Sequence, residues 1–165
     1  MDLKSINELN NYAAAEVFGR CCGSHAWVEK MLSARPFASD QALCEQADRS
    51  FKDLARADWM DAFAAHPKIG DISSLKKKYS ITKNWAENEQ AGAKGISDAV
   101  AEDLASSNEQ YFQKFGYIFI VCATGKTAEE MLLMLKQRLN NDAETELSIA
   151  AEEQQKITHL RLEKL

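Results

Sequence analysis

At 165 residues, with 45% hydrophobic and 27% charged side chains, the chain reads as one soluble globular domain, residues 1–165, able to bury a core without staples. A net charge of −5 argues against a nucleic-acid surface, and the one basic run, Lys76-Lys77-Lys78, reads as a solvated helix face. No apolar run reaches the ~18 residues of a membrane span, and Met1-Asp2-Leu3-Lys4 lacks an apolar signal core, so no membrane partner is expected and the expected location is the cytoplasm.

Seven glycines and two prolines leave few breakers. Ser5 with Glu8 three residues on fits a capping box and predicts a helix through about Gly19. Ser24 can cap the next, with Ala26, Trp27, Met31 and Leu32 at helical spacing before Arg35-Pro36 ends it. Ser39 or Asp40 opens a third, with Leu43, Ala47, Phe51, Leu54 and Ala55 on one face. Asp58 is expected to cap a short helix from Trp59 to about Ala65. Further short helices are expected from Asp71 or Ser73 to Tyr79, and from Thr82 or Asn84 through Ala91, broken by Gly92 and Gly95. From Ser97 the stripe Val100, Leu104, Tyr111, Phe112 and Phe115 predicts a long helix terminated by Gly116. Thr127 then caps a helix carrying Met131, Leu132, Leu135 and Leu139, and Asp142 opens a last one to about Leu162.

One segment resists this pattern. Tyr117-Ile118-Phe119-Ile120-Val121-Cys122 is β-branched and aromatic, the composition of a buried strand. No second strand exists to pair with it, and a lone strand leaves its backbone groups unsatisfied. The expectation is therefore an all-α bundle of about eight or nine helices with no sheet, this run being an extended or tightly turned stretch threaded through it.

Three places carry candidate chemistry. In "AAHPKIGD", residues 64–71, Pro67 disfavours the α region for His66, so the preceding helix stops there. An imidazole just past a helix C-terminus is favoured as the cation and suits proton transfer near neutral pH. The competing reading is a terminal histidine that hydrogen-bonds a released carbonyl. In "NWAENEQAG", residues 84–92, Glu89 and Gln90 can both line a cleft edge and offer acceptors and donors to a ligand rich in N–H and C=O groups, or they decorate a surface. Arg161 follows Ile157 and Leu160 at core spacing, where a guanidinium needs an anion, be it a ligand or an internal carboxylate. Cys21, Cys22, Cys44 and Cys122 lack metal-ligand spacing and read as small buried residues of a reducing compartment. His25, His66 and His159 show no zinc-binding spacing, so no metal is expected. Signatures of nucleophilic hydrolases and nucleotide-binding loops are missing as well.

An ordered set of motifs then carries a resemblance over nearly the whole chain: "RPF" at 35–37, "HPKIG" at 66–70, "WAENEQAG" at 85–92, "NEQYFQKFGYIFIVCATGKTAEEML" at 108–132, "RLNN" at 138–141 and "KITHLRLEKL" at 156–165. Together they resemble the 2-oxo-4-hydroxy-4-carboxy-5-ureidoimidazoline (OHCU) decarboxylases of urate catabolism. The resemblance implies a sheet-free helical bundle, a homodimer, and decarboxylation of OHCU to (S)-allantoin without a cofactor. By position it makes His66 the catalytic histidine, with Glu89 acting beside it and Glu89 and Gln90 holding the substrate. It implies backbone contacts to substrate from Ile118, Phe119, Ile120, Val121 and Cys122, an apolar wall to which Pro67 adds, and a pocket role for Arg161. Two departures stand out: Ala86 replaces a serine common in the family, and Gly116-Tyr117-Ile118 lacks a proline common there. The alternatives left by the residues alone are a non-catalytic all-α interaction module and a metal-dependent hydrolase. Ligand-metal spacing is missing for the second.

Overall fold

The structure, a computed structural model, describes residues 1–67 and 97–165. Among these residues there are eight helices and no strand: α1 Leu3–Glu8, α2 Asn11–Cys21, α3 His25–Ser33, α4 Asp40–Lys52, α5 Arg56–Ala64, α6 Asp98–Phe115, α7 Ala128–Arg138 and α8 Ala143–Leu162. The helices expected over 71–79 and 84–91, and with them Ala86, Glu89 and Gln90, lie outside the described residues. The chain forms two compact units, residues 1–66 with 147–165, and residues 67–146.

Most helix starts follow the local chemistry. Ser24, Ser39, Ser97 and Thr127 each accept a backbone N–H of the first turn, and Thr127 completes a reciprocal box with Glu130. Asp142 accepts the Thr145 N–H at 2.8 Å and opens α8. Gly116 ends α6 with φ +79°, a left-handed conformation that a glycine adopts without a Cβ penalty.

Two starts differ from expectation. The first helix is split. Asp2, not Ser5, caps α1, and the chain is extended at Leu9 and Asn10 before Asn10 caps α2. The cause is distant. Arg35 donates from Nη1 to the Ile6 and Leu9 carbonyls at 3.0 and 2.8 Å, and from Nη2 to Asn11 Oδ1 at 2.7 Å, so the carbonyls released by the break are satisfied. Asn7 exchanges two 2.9 Å hydrogen bonds with the Phe37 backbone. Thus "RPF" clamps the α1–α2 corner. α5 also starts earlier than expected: Asp58 sits at its third position and its carboxylate accepts the Ala55 N–H at 2.8 Å.

The first unit is built around a run of aromatic rings. Phe18 meets Trp27 and Phe37 edge-on, Trp27 stacks on Phe51 and Phe51 on Trp59, both at 5.5 Å, and Trp59 touches Phe63. Trp27, fully buried, also donates its indole N–H to the Ala47 carbonyl. The run ends three residues before His66, so the aromatic core fixes the helix end from which that histidine projects. Gly23 lies against the same end. A Cβ there would stand 2.2 Å from the Ala65 Cβ, so only glycine admits this approach.

In the second unit α6 packs on α7, and Ala101 and Leu104 of the one and Met131 and Leu135 of the other are buried. Tyr111 joins Phe115, Tyr117 and Phe119 in an aromatic cluster. Residues 118–123 are irregular, neither helix nor strand, and their lack of a strand partner is met by side chains. Arg138 Nη1 donates to the Ile120 carbonyl at 2.8 Å, and Lys126 Nζ to the Cys122 carbonyl at 2.8 Å.

Candidate functional site

α5 ends at Ala64, and the His66 N–H closes a last tight turn onto the Phe63 carbonyl at 3.2 Å. The ring is half-buried, and its Nε2 lies 2.6 Å from Oε1 of Gln154, a side chain with no exposed surface. The other histidines differ. Exposed His25 pairs with the Asp61 carboxylate at 2.5 Å, and His159 with Asp48 at 2.6 Å. Of the three, only His66 meets a buried neutral amide. This bond runs to a side chain on α8.

Gln154 belongs to a polar chain along one face of α8. Its Nε2 donates to Thr158 Oγ1 at 3.2 Å, and Thr158, also fully buried, approaches the Gln154 carbonyl at 2.9 Å and the Cys21 carbonyl at 3.3 Å. The Cys21 carbonyl accepts in turn from Arg161 Nη1 at 3.3 Å, and the Arg20 carbonyl from the same nitrogen at 3.1 Å. Residues 154, 158 and 161 are spaced i, i+4, i+7, one stripe of the helix. The structure therefore brings His66 and Arg161 into one hydrogen-bonded chain. Arg161 finds no carboxylate among the described residues; it caps the C-terminus of α2, whose terminal carbonyls carry partial negative charge. Only Nη1 is engaged there.

The same burial sets the thiols. Cys21 is pushed up to about 11, mainly by burial and against the pull of Arg161, and donates weakly to the Val17 carbonyl. Burial also raises Cys22. Both are protonated, packing residues at neutral pH, not nucleophiles. Among the described residues no three His, Cys, Asp or Glu side chains come together as a metal-binding group.

In the second unit Ile120 and Cys122 are buried while Ile118, Phe119 and Val121 are half-buried, and Pro67 is exposed. What holds this strap in place went unread in the sequence. Arg138 is buried and ion-paired with the fully buried Glu146, Nε at 2.7 Å and Nη2 at 2.6 Å, and its guanidinium lies 4.5 Å from the Phe119 ring centroid. The Tyr111 hydroxyl also donates to Glu146, and burial together with that bond drives the phenol far above its ordinary value. The visible signal was "RLNN" followed by charge at positions of core spacing. Gln154 and Thr158 had a similar one, polar residues on the stripe that holds Ala150, Ala151 and Leu162.

The sequence profile of OHCU decarboxylase matches residues 7–163. The chain belongs to the OHCU decarboxylase family. It is 39% identical over 145 residues to the uric acid degradation bifunctional protein of Arabidopsis thaliana, covering 88% of this chain and 45% of that one, so it spans about half the length of that relative. It is 31% identical to the OHCU decarboxylase of Amia calva, covering 99% of this chain and 93% of that one. Among solved structures, OHCU decarboxylase in the presence of (S)-allantoin superposes with a TM-score of 0.73 at 36% identity, covering 91% of this chain and 96% of that chain. The family fold is thus the sheet-free helical arrangement described above.

Proposed function

We propose that this chain decarboxylates OHCU to (S)-allantoin in urate degradation, without a cofactor, and that residues 1–165 act as one functional domain. One observation carries the reading: the family match spans residues 7 to 163. The likeness to an OHCU decarboxylase studied with (S)-allantoin supports the same substrate and product.

The chemistry suits these residues. Breaking the C–CO₂ bond leaves an electron pair on carbon, and the substrate offers its own sink, a ring C=N bond beside the carboxyl-bearing carbon. The electrons move there, CO₂ departs, and an enediol-like species takes up one proton at carbon. The protein's tasks are to orient the ring, to remove water from the carboxylate, and to give the proton to one face. His66 delivers that proton or assists deprotonation of the 4-hydroxyl; such general acid–base help is worth ~10²–10⁴-fold. Glu89 acts beside it, and Glu89 and Gln90 bind the ureido and ring N–H groups. Ala86 leaves one side-chain hydrogen bond made by many family members either unmade or replaced by water. Backbone groups from Ile118 to Cys122 contact the substrate, and the side chains of Ile118, Phe119 and Ile120, with Pro67, form the apolar wall against the carboxylate. Arg161, with Nη1 committed to α2, turns Nε or Nη2 to a substrate oxygen. We further place the protein in the cytoplasm as a homodimer. Its composition and the family analogy support this, and in the described residues no helix is long and apolar enough to cross a membrane.

The test uses freshly generated OHCU with chelator present, following optical activity. Catalysed appearance of (S)-allantoin is the expected result and removes the interaction-module and metal-hydrolase alternatives. His66→Ala and His66→Asn should lose turnover by at least about 100-fold with unchanged far-ultraviolet circular dichroism. A His66 variant of wild-type rate defeats the assignment.

A further inference from the structure

We propose that Gln154 is a positioning residue that sets which nitrogen of His66 carries out proton transfer. The proposal rests on the reading of His66 as the catalytic imidazole. An amide oxygen can only accept, so an imidazole nitrogen 2.6 Å from Gln154 Oε1 must carry a hydrogen. That places the proton of the neutral ring on Nε2 and leaves Nδ1 as the nitrogen that gains and loses a proton.

The amide orientation is itself determined by the neighbours. Thr158 Oγ1 has one hydrogen and two main-chain carbonyls within reach, those of Gln154 and Cys21. With its hydrogen on either of them, the hydroxyl must accept from Gln154, so the amide NH₂ faces Thr158 and the oxygen faces His66. Turning the amide over would set NH₂ against the ring and force Thr158 to abandon both carbonyls. Gln154 and Thr158 have no exposed surface, so water cannot replace these partners. Like a carboxylate, the amide oxygen accepts from Nε2 in both the imidazole and the imidazolium, but being neutral it adds no counter-charge that would favour the cation.

A structural role alone would cost stability without changing the ring's tautomer, and the experiment separates the two. In ¹⁵N-labelled full-length protein, His66 should show a slowly exchanging Nε2–H resonance and a single neutral tautomer. Gln154→Leu should abolish that protection and lower kcat by at least about 30-fold, a substantial part of the ~10²–10⁴-fold that general acid–base help supplies, with KM within about threefold. Gln154→Glu keeps an acceptor and should restore the protected resonance and bring kcat to within about tenfold of wild type. Thr158→Val removes the group that orients the amide, and should give a mixed tautomer population with an intermediate kcat. Should Gln154→Leu fail to fold, the other two variants carry the test. Persistence of the protected resonance or of near-wild-type kcat in Gln154→Leu overturns the proposal, as does a single Nε2–H tautomer in Thr158→Val. The reading beneath it fails separately: a fully active His66→Asn would remove the catalytic histidine, whatever the Gln154 spectra show.

Discussion

Arg138 offers the sharpest energetic test of the second unit. Its guanidinium satisfies the buried Glu146 carboxylate and the Ile120 carbonyl together, with only 6% of the arginine exposed. Replacing it by methionine keeps most of the apolar volume and deletes every donor. Glu146 retains the Tyr111 hydroxyl and the Asn141 amide, the latter at 3.0 Å, but loses its counter-charge. Breaking one half of such a buried pair costs about 3–5 kcal/mol, and a carbonyl left without its donor adds about 1–3 kcal/mol. Against a total stability on the order of 5–15 kcal/mol this is a large share. Urea unfolding at low temperature should therefore show Arg138→Met destabilised by at least about 3 kcal/mol. Arg138→Met combined with Glu146→Gln should lose less than the sum of the two single changes, since the second removes the stranded charge. A coupling of about 1 kcal/mol or more is expected. Strict additivity, or a loss below about 1 kcal/mol in the single variant, refutes the argument that this pair anchors the strap.

Two further perturbations probe the first unit. Gly23→Ala should destabilise by about 1–3 kcal/mol through overpacking, because its new methyl would overlap the Ala65 Cβ. Adding Ala65→Gly should recover most of that loss in thermal unfolding, and no recovery would count against the close approach. The His25–Asp61 pair should make stability depend on pH. Asp61, by its side-chain hydrogen bond, raises His25 above its ordinary 6.5, so His25's contribution is fully present below about 6.5 and is lost as pH rises through the raised value. His25 in turn lowers Asp61 below 3.8, so that contribution is present above about 3.8 and is lost as pH falls through the lowered value. The melting difference between wild type and Asp61→Asn should therefore be largest near pH 5–6 and shrink toward pH 9, with His25 returning toward its ordinary titration in the variant by NMR. A difference flat across that range would contradict the pairing.

Helix boundaries were legible wherever a side chain reaches only a few residues along the chain. Ser24, Ser39, Ser97, Thr127 and Asp142 cap what they were expected to cap, and Gly116 stops α6, because these interactions close within one turn. The fold class followed from apolar stripes at helical spacing, and the family from motifs kept in one order over the whole chain. What local reasoning missed was decided by polar groups seeking partners far away. The break between α1 and α2 depends on Arg35, 26 to 29 residues on, although Ser5 and Glu8 spell a plausible cap by themselves. Arg161 was expected to seek an anion, yet α2 supplies it with carbonyls from 140 and 141 residues earlier. The strap at 117–122 looked like an orphan strand until Arg138 reached its backbone. Pro67 alone could halt the helix before His66, but which nitrogen of that ring holds its proton is determined by a glutamine 88 residues away. The physical reason is common to all four: a buried donor or acceptor must be satisfied, and no window of sequence says which distant group the packed chain will set beside it.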